Sequence, residues 1–295
     1  MIKMEKLRFG MSSCGNIDIT EQEFEEYAAA GVKEMELAYF YLDNKKIDWN
    51  GLRKRAESVG IGLWSYHLPF SPIGEIDIAN ADNAKRLQVV EALSEIVKRA
   101  GDIGIKRIVI HPSAEPYSGE RREDVIKRAQ SSLVALADAA ESCGAVIAVE
   151  NLPRMSLGRT SEELKMLISA DDRLRVCFDT NHVLMQPIGE FILDIGDKIV
   201  TTHFSDCDFK NERHWLPGEG KINWQEVFNA LDKINYQGPL MYELDFEAYP
   251  TINRRLLTCE DFKNNYHCLI NNLPLQAIGT PVEEECTPWE MMVNK

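Results

Sequence analysis

The sequence predicts an α/β protein built as a (β/α)8 TIM barrel, a single domain over residues 1–273 followed by a C-terminal tail over 274–295. Short β-rich runs alternate with longer amphipathic stretches along most of the chain, which implies a parallel sheet with helical crossovers. Eight such repeats fill about 250 residues, the number and length of an eightfold barrel. A doubly wound open sheet would be favoured by a GxGxxG after the first β run, and none is there.

The eight β runs are expected at 7–13, 33–38, 62–66, 107–111, 146–151, 175–179, 199–205 and 240–244. Between them, 21–30, 84–100, 123–142, 161–169 and 224–233 carry apolar residues three and four apart, the helical spacing. Gly104 and Gly144 stand where helices should end. The stretches 69–79 and 153–160 are longer loops after strands, at the end of a barrel that carries function. Residues 274–295, with an acidic Glu283-Glu284-Glu285 run, are expected to wrap the barrel or to reach a neighbouring copy in a homo-oligomer.

A net charge of −14 opposes nucleic-acid binding, and the short basic runs Arg53-Lys54-Arg55 and Arg121-Arg122 read as solvated helix faces. The seven cysteines are scattered with no CxxC, which argues against a disulfide framework or a cysteine zinc site; Cys143 and Cys177 read as core packing. No apolar run reaches the roughly 18 residues of a membrane span, and the first residues lack a signal-peptide pattern, so a soluble cytoplasmic protein is expected.

Five of the six histidines fall at or just past the end of a β run: His67, His111, His182, His203 and His214; His267, on the last helix, reads as structural. Acids also end runs: Glu150 in AVIAVEN, Asp179 in VCFDTNH and Glu243 in PLMYELD. Strand ends of a barrel converge on one cavity, so residues remote in sequence meet there. One such glutamate would more often face an arginine or a helix N-terminus, and Asp179 could be a helix cap; the joint pattern decides. An acid among apolar neighbours is costly to bury uncompensated, and a divalent cation (Mn, Mg, Co or Zn) compensates several at once.

The segments Val149-Glu150-Asn151, Phe178-Asp179-Thr180-Asn181-His182, His203-Phe204-Ser205-Asp206, Leu216-Pro217-Gly218-Glu219-Gly220 with Ile222-Asn223-Trp224, and Tyr242-Glu243 resemble the xylose isomerase-like TIM barrels. That superfamily includes sugar epimerases, hydroxypyruvate isomerases, inosose dehydratases and endonuclease IV. The resemblance implies that Glu150, Asp179, His203 and Glu243 hold one divalent metal. It implies that His182 faces the substrate or a second metal, that His67 and His111 line the site, and that Arg213 and His214 contact substrate or metal. Endonuclease IV has an Asp-x-His where this chain has Glu212-Arg213-His214.

The expected activity is that of a sugar isomerase or epimerase on a small polyhydroxylated carbonyl compound. The metal would stabilise an enediolate, and Glu150 and Glu243 would move the proton. Trp64, Phe70 and Trp215 are candidates for an apolar wall. A dehydratase of the inosose or dehydroshikimate type is the alternative, and an endonuclease IV-like nuclease follows it.

Overall fold

In the computed structural model, which describes residues 6–114 and 120–283, eight parallel strands form one sheet. They are β1 (Phe9–Ser12), β2 (Glu34–Ala38), β3 (Gly62–His67), β4 (Arg107–Ile110), β5 (Val146–Glu150), β6 (Arg175–Asp179), β7 (Ile199–His203) and β8 (Leu240–Tyr242). Strands β1 to β7 pair in chain order and β8 returns to β1. A bridge between Phe204 and Tyr242 joins β7 to β8 and all but closes the barrel.

The crossovers are α1 (Glu21–Ala30), α2 (Trp49–Ser58), α3 (Asn83–Asp102), α4 (Arg122–Ser142), α5 (Ser161–Ile168), α6 (Ile188–Ile195) and α7 (Trp224–Lys233), with α8 (Cys259–Ile270) after β8. Every expected helix lies within two residues of an observed one. Their starts are capped by side chains: Thr20 and Glu23 form a capping box on α1, Asp82 caps α3 and Thr160 caps α5.

Strand alternation separates two interiors. Ile108 and Ile110, Ile147 and Val149, and Val176 and Phe178 pack outward into one large core with the helices. The residues between them, Val109, Ala148 and Cys177, form a small separate cluster inside the barrel. A period of two then fixes what stands above that plug. Glu150 follows Ala148, Asp179 follows Cys177, His203 follows Thr201 and His67 follows Ser65, all buried. The apolar plug thus supports a polar layer at the C-terminal end of the strands.

The described part of the tail, 274–283, returns to the barrel, where the Gly279 N–H donates to Glu219 (2.7 Å). Its Thr280–Pro281 (β10) pairs antiparallel with Ile252–Asn253 (β9), in the segment after β8. Glu284 and Glu285 of the acidic run and Cys286 lie outside the described residues. The other six cysteines are free, with Cys177 and Cys207 buried and Cys143 half-buried.

Candidate metal centre

Glu150 stands at the centre of the polar layer. Its Oε2 lies 3.1 Å from His67 Nε2 and 3.3 Å from His111 Nε2, and its Oε1 lies 3.1 Å from His203 Nδ1. His203 Nδ1 is also 3.2 Å from Glu243 Oε2 and 3.9 Å from Asp179 Oδ2. Glu150, Asp179, His203 and Glu243 can each offer one ligand atom within 4.8 Å of the others. The same holds for His67, His111 and Glu150, and for His182, Glu212 and His214. Three potential metal positions therefore adjoin, two of them sharing Glu150.

The histidine tautomers suit this use. His67 Nδ1 donates to the Leu68 carbonyl (2.8 Å) and His182 Nδ1 to that of Asn151 (2.9 Å). His214 Nδ1 does the same to the Glu243 carbonyl (3.2 Å). A ring nitrogen that donates to a backbone carbonyl leaves the opposite Nε2 with its lone pair free for a cation. Asp179 is fixed by the Asn181 N–H on its Oδ1 (2.6 Å), while its buried Oδ2 has no hydrogen-bond partner. An orphaned carboxylate oxygen facing imidazoles and two other carboxylates fits a divalent cation, and the donor set lacks thiolate.

The electrostatics of the bare site reflect the crowding. Burial pushes the Asp179 carboxyl up to about 7. Burial also opposes charge on Glu243, but His203 overrides it and holds the carboxyl down at about 2. Burial works against a charge on His182, yet Asp179 and Glu212 raise it to about 10. Burial dominates at His111, which is lowered. A divalent cation held here would displace these protons, because only deprotonated donors bind.

Above this floor lies a cavity of about 480 Å³. Loop 69–79 supplies Phe70, Ile73 and Ile76, and loop 153–160 supplies Pro153, Arg154 and Ser156, so both expected rim loops line it. Phe70 stacks on His111 with ring centres 4.5 Å apart and packs against Phe40 at 4.7 Å. Loop 153–160 is braced by Arg122, which pairs with Glu163 and donates to the Met155 and Ser156 carbonyls (2.9 and 2.6 Å).

Nearly all the residues singled out from the sequence meet here. Glu150, Glu243, His67, His111, His182, Arg213 and His214 line the cavity, with Asp179 and His203 buried beneath. Arg213 turns its guanidinium to Asp208 (3.0 Å). Its neighbour Glu212 points inward instead, 3.1 Å from His182 Nε2 and 2.8 Å from Arg154 Nη2. His214 holds a left-handed backbone (φ 49°), uncommon for a residue with a Cβ and concentrated at functional sites. Two wall candidates are elsewhere. Trp64 is the extra residue of a bulge opposite Met35 and Glu36, donates to Thr201 Oγ1 (3.2 Å) and is covered by the Arg107 guanidinium 3.4 Å away. Trp215 stands behind Thr251, to whose hydroxyl it donates (3.0 Å).

Glu36 and Arg154 were missed, whereas Glu212 entered through the likeness of Glu212-Arg213-His214 to the Asp-x-His of endonuclease IV. Glu36 is buried in β2, where it accepts from Ser12 (3.1 Å) and Ser65 (2.7 Å). Its sequence signal was an acid inside the apolar run EMELA, at the same alternation that places His67.

The family model for xylose isomerase-like TIM barrels matches residues 24–257. The chain belongs to this family. Among similar xylose isomerase-like proteins, a probable endonuclease 4 of Acholeplasma laidlawii is 34% identical over 222 residues, covering 65% of this chain and 73% of that protein. The L-ribulose 3-epimerase of Mesorhizobium japonicum is 28% identical over 216 residues, covering 70% of each. The chain spans 62% of the length of another relative, the uncharacterised protein MJ1311 of Methanocaldococcus jannaschii. The crystal structure of a D-tagatose 3-epimerase-like protein, 25% identical, superimposes with a TM-score of 0.71 over 81% of this chain and 91% of that one. Among the described residues, no helix is long and apolar enough to cross a membrane.

Proposed function

We propose that this xylose isomerase-like barrel is a divalent-metal-dependent sugar isomerase or epimerase. One observation carries the reading: Glu150 and Glu243, from β5 and the end of β8, approach the same His203 nitrogen at 3.1 and 3.2 Å, within a four-residue ligand set. A cation held by Glu150, Asp179, His203 and Glu243 would polarise a carbonyl and its neighbouring hydroxyl and so acidify the hydrogen on the hydroxyl-bearing carbon next to the carbonyl. Glu243 lines the cavity and is the more accessible carboxylate, suited to take the carbon-bound proton; Glu150 stands on the other side to return it. His182 and His214 orient the substrate hydroxyls. The named epimerase relatives support the same reading.

The decisive experiment incubates Mn2+-loaded protein with a panel of ketoses and inososes in D2O. A product of unchanged formula carrying one deuterium is expected, and Glu243→Gln should abolish it. A product lighter by one water would make the enzyme a dehydratase. No incorporation into any compound would refute the enolisation chemistry.

A second reading rests on the two further clusters around His67 and His182. Adjacent metal positions suit in-line hydrolysis of a phosphodiester, as the endonuclease relative suggests. The charge of −14 opposes it. Incision of DNA at an abasic site would promote this reading over the first.

A further inference from the structure

On β4 and just past it, one inward-facing row carries Arg107 below the apolar plug, Val109 in it and His111 above it. The lower end of the barrel therefore has a chemistry of its own. There the indole of Trp64 crosses the lumen from β3 to donate to Thr201 Oγ1 on β7 (3.2 Å), four strands away around the sheet. Two guanidinium groups meet this one ring. That of Arg107 stacks on it 3.4 Å from its centre, and that of Arg8, just before β1, stands 4.9 Å from it. From this arrangement we propose a second binding site, at the N-terminal end of the barrel, in which Arg107 and Arg8 together hold a phosphate group, free or at the end of a phosphomonoester.

The donors for it are at hand. Stacking engages the face of a guanidinium and leaves its N–H groups, which lie in the plane, to other partners. Among the described residues the Arg107 side chain makes no hydrogen bond or ion pair that would use them. Arg8 is partly committed: its Nε pairs with Glu34 Oε1 (2.7 Å) and its Nη1 donates to the Gln237 carbonyl (3.4 Å), which leaves its Nη2 over. One tetrahedral oxyanion can reach both groups. The two guanidinium carbons lie no farther apart than their two ring distances combined, and each N–H···O bond to the anion spans about 2.7–2.9 Å.

Charge at this end is unbalanced in the direction the site needs. Glu34 is paired with Arg8, and its second oxygen lies over Gly62, where a Cβ would displace it. The Tyr236 hydroxyl, which also acts on Arg107, is a neutral phenol that donates to the Pro239 carbonyl (3.0 Å). Burial and the neighbouring Arg8 charge together depress the Arg107 guanidinium from its ordinary value. An anion shared by the two cations relieves both effects. Arginine forks match the geometry of phosphate oxygens, and a phosphate offers more of them, and more charge, than a carboxylate does.

The test is isothermal titration of orthophosphate into the full-length protein in millimolar Mg2+, with KCl holding the ionic strength, and the same titration with glycerol phosphate and with acetate. One phosphate per chain should bind with a submillimolar Kd, and acetate at least about ten-fold more weakly. Glycerol phosphate that binds as tightly as orthophosphate makes the site one for a phosphomonoester; much weaker binding makes it one for the free ion, and both results keep the site. Arg107→Met, which keeps an apolar stem on the indole, should weaken phosphate binding at least about ten-fold, and Arg8→Gln several-fold. Asp179→Asn, above the plug, should leave it unchanged. If Arg107→Met fails to fold, Arg8→Gln, a change at a half-exposed side chain, decides together with the wild-type titration. Absence of phosphate binding in the millimolar range, acetate as tight as phosphate, unchanged binding in either folded arginine variant, or loss of binding in Asp179→Asn would each overturn the proposal, the last by moving the phosphate to the metal centre.

Discussion

Glu36 Oε1 lies 3.0 Å from Nε2 of His203, and both side chains are completely buried. His203 turns its other nitrogen, Nδ1, to Glu150 and Glu243. The contact to Glu36 is an electrostatic approach rather than an aligned hydrogen bond, since His203 Nε2 lacks a hydrogen-bond partner. A carboxylate behind a ligand histidine keeps the proton on the far nitrogen and raises the basicity of the near one.

Glu36→Gln should therefore keep the fold and weaken divalent-metal binding, by roughly 10- to 100-fold if Glu36 acts as such partners usually do. Competition against a fluorescent chelator measures it, with circular dichroism as the fold control. Unchanged affinity would mean that Glu36 only ties β2 to Ser12 and Ser65.

Chelation should lower the unfolding temperature of the loaded protein. Metal at 100 times its Kd stabilises the native state by about 2.7 kcal/mol through mass action. Asp179→Asn removes the charge at the buried oxygen that has no partner, so this variant should fold, show a much smaller response to metal, and lose turnover. Differential scanning calorimetry with and without EDTA checks both. A chelator-insensitive unfolding temperature would refute metal binding at this cluster.

Glu212 separates the clusters. It contacts His182 and Arg154 but not the four-residue set. Glu212→Gln should lower the number of tightly bound metal ions by one, as read by elemental analysis after gel filtration, and leave the metal at Glu150 and Asp179 in place. An unchanged stoichiometry would assign Glu212 to holding Arg154 instead.

How far the sequence was legible follows from where each signal resides. Period-two alternation and strand-end position are local, so Glu150, Asp179 and His203 could be read directly. Glu243 lies one residue past Tyr242, the last residue of β8, and was still legible because the strand direction carries on. Side-chain direction in loops is not local. Arg213 and His214 stood out as contact residues, but in this loop Glu212 and His214 face the His182 cluster while the Arg213 guanidinium turns to Asp208 at the cavity rim. Trp64 was misplaced because a bulge shifts the register at that residue, and bulges leave little trace in composition. Arg154 was hidden because its partners, Asn211 and Glu212, come from a loop nearly sixty residues away.

Acid should act on α8 in a predictable way. Arg255 donates to both oxygens of Asp261 (2.7 Å each), and Thr258 adds a capping box; together they hold the carboxyl down at about 2. A carboxyl depressed in the fold stabilises it above the unfolded value, roughly pH 4, and that contribution fades as pH falls through about 2. Asp261→Asn should cost about 1 kcal/mol at pH 7, the usual size of a lost cap. The difference from wild type should shrink as pH falls from about 4 toward 2. Urea midpoints across that range measure it, and a difference independent of pH would assign the effect to packing.

The final prediction concerns the tail. Glu219, in the loop after β7, accepts from Arg254 Nη1 (2.9 Å) and from the backbone N–H groups of Leu216 (3.0 Å) and Gly279 (2.7 Å). Both charged side chains are fully buried. One carboxylate thus joins three segments: the loop after β7, the β9 segment after β8, and the tail that carries β10. Removing one member of a buried pair leaves the other uncompensated, at about 3–5 kcal/mol, whereas replacing both by apolar groups is far less costly. Arg254→Met should destabilise by about that much, and Arg254→Met with Glu219→Met should be less destabilised than the sum of the single changes. Because Tyr249, Pro250 and Thr251 line the cavity just before Arg254, Arg254→Met should also raise KM more than it lowers kcat. Urea unfolding of the three variants gives the coupling energy, and additivity within about 0.5 kcal/mol would show that the pair does not tie the tail to the rim.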